Sequence, residues 1–273
     1  SFRVLWKRAD LPCRHFRGPG SSVVLHRDTV ILTMDGIDQQ YLVALSKRDG
    51  KTVWRTDRTT QFNDLMADGR PNGEGDFRKG FTTPFIAEIA GRMQLISAGS
   101  KSAFSYDPAT GRELWKVRYG GHTPAMTAVA GGGLVFLSTG NSPSELLALR
   151  ADGTGDVTDS HLAWKTTRGV PRMPSPILLG DRLYLVADNG VLSCLEAATG
   201  RELWQERIGG SHYASPLYGD GRIYCFSNAG ETVVVKPGDT LEVLARNLLA
   251  DGFMASPAVS GHALILRTQT HLY

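Results

Sequence analysis

Short apolar runs recur along this chain, each closed by a turn that carries glycine or aspartate. The stretch Asp188 to Ile208, DNGVLSCLEAATGRELWQERI, shows the unit: an Asn189-Gly190 turn, an apolar strand, a Thr199-Gly200 turn and a second strand bearing Trp204. The same phrase stands at Tyr41 to Asp57 and at Ser102 to Arg118. A looser copy runs from Leu146 to Arg168 and a worn one from Val233 to Asn247. Ahead of these lies a second phrase, a Ser/Thr-Pro pair, a strand, a Gly/Asp turn and another strand. It is clearest in Met173 to Asp188 and repeats at Ala214 to Ser227 and Ala255 to Arg267. Proline is tolerated at a strand's first residue because its missing N–H breaks no ladder there. Four short strands joined by tight turns, repeated at a fixed period, predict an all-β propeller built of four-stranded blades.

The phrases divide the chain into repeats at about Ser21–Asp57, Phe81–Arg118, Thr123–Arg168, Met173–Ile208 and Tyr213–Asn247. A trailing piece, Met254 to Tyr273, has strands but no Trp strand, and a leading piece, Phe2 to Arg8, has a Trp strand alone. Counting the two as one blade gives a single six-bladed domain over residues 1–273, with the N-terminal strand completing the last blade and hiding a sheet edge. The competing count makes the chain a fragment of a seven- or eight-bladed propeller. Trp6, Trp54, Trp115, Trp164 and Trp204 stand in successive outer strands at one register. One large ring per repeat is expected to pack between neighbouring blades rather than to form a ligand platform.

These residues resemble the pyrroloquinoline-quinone-like repeat family of β-propellers. The motif stands here as Asp107-Pro108-Ala109-Thr110-Gly111 with Trp115, as Glu196 through Thr199-Gly200 with Trp204, and as Asp49-Gly50 with Trp54. The resemblance implies a bacterial, periplasmic or secreted protein. It leaves two branches, non-catalytic relatives that include the lipoprotein of the outer-membrane β-barrel assembly machinery, and quinone-dependent dehydrogenases. The second branch implies pyrroloquinoline quinone with calcium, a disulfide between adjacent cysteines and a Trp under the quinone. This chain has no adjacent cysteines. The expectation is therefore a non-catalytic scaffold without cofactor or metal, and a quinoprotein-type enzyme with a ligand in the central channel is the alternative.

Composition changes this picture little. A net charge of +3 with no basic cluster argues against nucleic acid. No apolar run approaches the roughly 20 residues of a membrane-spanning helix. The segment from Ser1 has no signal-peptide pattern, and compartment is not read from it. Cys13, Cys194 and Cys225 show neither a disulfide framework nor a zinc spacing. The expected partner is a protein or polysaccharide, bound by a monomer.

Three places offer binding chemistry. The insertion Arg58 to Gly80 carries Asp68, Asn72, Glu74 and Asp76 without the ligand order of a calcium loop, and reads as a solvated, flexible loop. The insertion Asp152 to Asp159 reads as a lengthened hairpin. Just ahead of successive first strands stand Arg14, His15, Lys79, His122, Arg172, His212 and Tyr213. First strands line a propeller's channel, so these side chains are expected to ring one mouth as a basic funnel for an anionic or polar ligand. The alternative is that each bonds a neighbouring loop. No catalytic triad or carboxylate pair can be assigned by spacing.

Overall fold

The computed structural model describes residues 3–16 and 18–273. Each long repeat folds as an antiparallel sheet. The first comprises β1 (Val24–His26), β2 (Thr29–Asp35), β3 (Gln40–Ser46) and β4 (Thr52–Asp57). The second comprises β5 (Phe85–Ile89), β6 (Arg92–Ala98), β7 (Ser102–Tyr106) and β8 (Glu113–Arg118). The third is β9 (Val129–Gly131), β10 (Leu134–Ser138), β11 (Leu146–Arg150) and β13 (Leu162–Thr166), with β12 (Gly155–Asp156) leaving it to join its neighbour. The fourth is β14 (Ile177–Leu179), β15 (Arg182–Val186), β16 (Val191–Glu196) and β17 (Glu202–Arg207). The fifth is β18 (Leu217–Gly219), β19 (Arg222–Phe226), β20 (Glu231–Lys236) and β21 (Glu242–Leu248). A two-stranded sheet, β22 (Ala258–Ser260) with β23 (Ala263–Ile265), follows.

The sheets share one register. Trp54, Trp115, Trp164 and Trp204 pair with Ala44, Ser105, Ala148 and Cys194, and each ladder shifts just beyond that pair. The fifth sheet keeps the irregularity, with Ala245 opposite Val234 in the place of the indole. The bulge adds local twist to the outer half of each of these five sheets.

The core is a series of layers between sheets. Ile31, Leu42, Ala44 and Trp54 of the first meet Leu95, Phe104 and Tyr106 of the second. Ile96, Ala103, Trp115 and Val117 of the second meet Val135, Leu137, Leu147 and Leu149 of the third. The same layering joins third to fourth and fourth to fifth. Trp54 Nε1 donates to Pro108 O at 3.2 Å, Trp164 Nε1 to Ala197 O at 2.9 Å and Trp204 Nε1 to Gly238 O at 3.0 Å, each on the next sheet's last turn. The rings lie so close to Gly111 and Gly200 that a Cβ there would sit 2.5 and 2.6 Å from an indole carbon. The expected role of the tryptophans, fastening neighbour to neighbour, is therefore met.

The leading segment behaves otherwise than its expected count. Among the described residues, 3–8 form no strand, the last sheet has two strands, and no shared N- and C-terminal blade is present; Phe2 lies outside the described residues. Trp6 donates to Lys47 O at 2.8 Å and covers Gly50, as Trp54 covers Gly111 and Trp164 covers Gly200 on the sheets after them. Its register thus places the leading segment before the first sheet.

The insertion after Ala151 also departs from a simple hairpin. It returns to the second sheet, where Gly155 and Asp156 pair in parallel with Trp115 and Lys116 on β8. Val157 is buried beside Trp115 in the same layer, so apolar contact holds the excursion down.

Candidate functional site

Antiparallel order puts the loops between sheets and the turns between second and third strands at one end of the molecule. Every predicted site residue lies at this loop face. The insertion Arg58 to Gly80 is folded there, not free in solvent. Arg58 is almost fully buried and clamps Asp35 through Nε and Nη2 at 2.7 and 2.8 Å, with Ser97 Oγ at 2.7 Å. Burial opposes the charge on Arg58, but the Asp35 carboxylate outweighs it and holds the guanidinium above its ordinary pKa. Arg78 binds Asp64 in the same two-pronged way, at 2.9 and 2.5 Å. Between them a short 3-10 helix, Asn72–Arg78, contains Gly75 at φ 83°, where a Cβ would stand 2.6 Å from Ile37 O. Only glycine combines that backbone angle with that approach.

This folding brings together four of the predicted residues. Lys79 is 1 % exposed, pairs with Asp76 and lies over the rings of Phe16 and Phe81 at 5.3 and 5.9 Å. His15 packs on Phe81 with centroids 5.1 Å apart, and its Nε2 donates to Asp35 O at 2.8 Å. That bond leaves His15 Nδ1 buried without a partner. Burial lowers the pKa of His15, and nearby Lys79 adds to the effect. His122 meets the edge of Phe77 at 4.7 Å, and burial lowers its pKa too. Arg14 is exposed, with its backbone held by Asp38 and Ile37, and it lines a cleft with Met66, Arg70 and Glu74.

The other three form a separate group. Arg172 Nε donates to the Asp188 carboxylate at 2.6 Å, and the backbone N–H of His212 donates to Asp188 O at 3.0 Å. His212 is fully buried with Nε2 bonded to Gly209 O, and burial lowers its pKa. Tyr213, half-buried, follows it. The seven residues thus sit on one face in two clusters, and most of them bond a neighbouring loop. Of the anions that organise these clusters, Asp76 was noted in the sequence only as part of a solvated loop, and Asp35 and Asp188 were not singled out. Asp35 ends β2 beside Gly36, and Asp188 stands two residues past β15 beside Asn189-Gly190, so both read as turn residues.

Comparison with known proteins places this geometry in a family. The family model of the outer membrane protein assembly factor BamB matches residues 38–176 and, overlapping them, 100–244, well over half of the chain. The chain belongs to the BamB family. BamB of Shewanella oneidensis is 25 % identical over 181 residues, which are 63 % of this chain and 40 % of that protein. BamB of Marinobacter adhaerens is 28 % identical over 91 residues, 33 % of this chain and 23 % of that protein. The chain therefore matches less than half the length of either relative. The crystal structure of BamB from Moraxella catarrhalis has a TM-score of 0.62 at 14 % identity, covering 90 % of this chain and 68 % of that one. That likeness shows the β-propeller fold.

The residues present do not fit a quinone with calcium. Trp54, Trp164 and Trp204 lie between sheets with Nε1 bonded, and Trp115 is fully buried on Gln94. Cys194 and Cys225 are buried on separate strands, and burial pushes the Cys13 thiol up to about 11. Among the described residues no group of His, Cys, Asp and Glu is placed to hold a metal ion, and no helix is long and apolar enough to cross a membrane.

Proposed function

We propose that this chain is a non-catalytic, periplasmic scaffold that binds a protein partner during outer-membrane protein assembly. Membership of the BamB family supports the process. The observation that carries the binding face is the ordered insertion: it holds Leu65, Met66 and Phe77 partly in solvent, with Phe16 exposed beside Lys79. Exposed apolar side chains rimmed by charge mark a protein-binding surface more than a small-molecule site. Arg14, His15, Lys79 and His122 belong to this face, and Arg172, His212 and Tyr213 extend it. Arg14, exposed and in no ion pair among the described residues, supplies the rim charge that steers an acidic partner; Arg172 is already paired with Asp188, and buried Lys79 and the histidines shape the surface beneath.

The test is complementation. In a bacterium deleted for its own BamB gene, expression of this chain is expected to restore folded porin in the outer membrane. The pair Leu65→Asp and Met66→Asp is expected to lower that restoration while leaving the melting temperature unchanged. Failure of the parent chain to restore porin, or full activity of the variant, overturns the reading. So does a rise in melting temperature on adding pyrroloquinoline quinone and calcium to the purified chain.

A further inference from the structure

The opposite end of the molecule, where first strands turn into second and third into fourth, repeats a pattern of paired charge with one exception. Basic residues recur there at two registers. At the first residue of the second strand stand Arg92, Arg182 and Arg222; after the glycine of the last turn stand Lys51, Arg112 and Arg201. Arg182 is neutralised by Asp181 and Asp239, Arg222 by Asp220, Arg201 by Glu196 and Lys51 by Asp49. Arg92 and Arg112 of the second sheet have no carboxylate within ion-pair distance among the described residues. The reason lies in the sequence. Glu196 in the fourth sheet reaches Arg201, whereas Asp107 at the same register is a methylene shorter. Its carboxylate instead accepts the N–H groups of Ala109 and Thr110, at 2.8 and 3.3 Å.

Both unpaired guanidiniums line one cleft of about 340 Å³, together with His26, Arg27, Met93, Asp107, Pro108, Ala109 and Leu114. Arg27 is exposed and also lacks a carboxylate; its neighbour Asp28 lies 3.7 Å from Lys47. It occupies the first hairpin position at φ 51°, where the other sheets have Ala90, Gly132, Gly180, Asp220 and Gly261. Ala90 and Asp220 hold nearly the same angle, so the hairpin sets the backbone, and what distinguishes this turn is the long cationic side chain it presents. Arg92 is anchored through Nη2 to Ala151 O and Gly153 O, and its Nε is buried without an acceptor. The cleft therefore gathers three arginines around one engaged carboxylate.

We propose that Arg27, Arg92 and Arg112 form a carboxylate-binding cleft that takes an acidic side chain from an extended segment of a protein partner. Arginine forks match carboxylates in pairs of hydrogen bonds. Met93, Pro108, Ala109 and Leu114 give the cleft an apolar half that a lone phosphate leaves unmet and that an apolar residue beside the acid fills. This second contact rests on the reading of the chain as a protein-binding scaffold but uses the face opposite the loop face.

The probe is a fluorescein-labelled peptide of alternating glutamate and leucine, followed by anisotropy at low and at high salt. Loss of one charge-assisted hydrogen bond weakens binding by about tenfold, so R27E and R112E are each expected to show at least that loss. Arg92 is left intact because it holds the third sheet's turn. R201E, whose arginine is already paired, and a peptide with glutamine for glutamate serve as controls: the first binds as the parent does and the second does not bind. No binding of the glutamate peptide, equal binding by R27E and R112E, or equal binding of the glutamine peptide overturns the proposal. Arginine-dependent capture of phosphatidylglycerol vesicles without peptide binding overturns it as well. If the peptide fails while the loop-face variants still lower porin, only the cleft is lost; if the peptide binds as expected and complementation fails, only the assembly role is lost.

Discussion

Gly180 and Gly200 both sit at turn ends of the fourth sheet with left-handed backbone, at φ 57° and 72°. They differ in what surrounds them. A Cβ on Gly180 meets open space, while one on Gly200 meets the Trp164 ring at 2.6 Å. Gly180→Ala is thus expected to cost about 1 kcal/mol, the backbone penalty alone. Gly200→Ala adds the overpacking of a filled site, for about 2–4 kcal/mol in all, and urea unfolding of the two variants measures the difference; equal midpoints would deny the docking contact. The Thr-Gly and Trp spacing made both partners of this contact visible in the sequence. What it did not show is that Gly200 receives Trp164 of the preceding repeat rather than Trp204 of its own, because contact across a layer leaves no trace in local spacing. The buried pair Asp35 and Arg58 was hidden for the same reason, since its members come from a strand end and an insertion 23 positions apart.

At the scale of elements, strands and turns were legible from alternation and from glycine, and the insertions were not. The excursion that forms β12 is polar and carries no period, yet it decides how the third sheet meets the second. Trp115 finds no next-sheet carbonyl of the kind that receives the other indoles. Gln94 bridges instead: it accepts from Trp115 Nε1 at 2.8 Å and from Ser105 Oγ at 2.7 Å, and donates to Ala151 O at 2.8 Å and Ile89 O at 2.9 Å. All of these groups are buried. Gln94→Leu fills the volume but strands several polar atoms, each worth about 1–3 kcal/mol when left unpaired. The expected loss is about 2–4 kcal/mol in chemical denaturation, with a changed Trp emission because the indole N–H loses its acceptor. A neutral outcome would mean that the bridge contributes no net stability.

On the scale of the molecule, stability follows from layers in series, because each sheet buries its faces only against its neighbours. The second, third and fourth sheets are covered on both sides, and strands such as β7 and β11 are buried almost throughout. The flanks are not: every residue of β21 is exposed, as are Val259 and Leu264 in the final two-stranded sheet and Val4 and Leu5 in the leading segment. Counting strands in the sequence led to a shared sheet joining the two ends; Trp6 makes the contact with the first sheet that such a strand would make, but among the described residues 3–8 pair with neither β22 nor β23. Local opening costs least where few apolar contacts are lost. Hydrogen exchange is therefore expected to be slowest in β6, β7, β10 and β11, faster in β21 and fastest in β22 and β23. Protection that is uniform from β2 through β23 would contradict this gradient. It would mean that the end sheets open only together with the centre, as in a ring whose first and last sheets are themselves in contact.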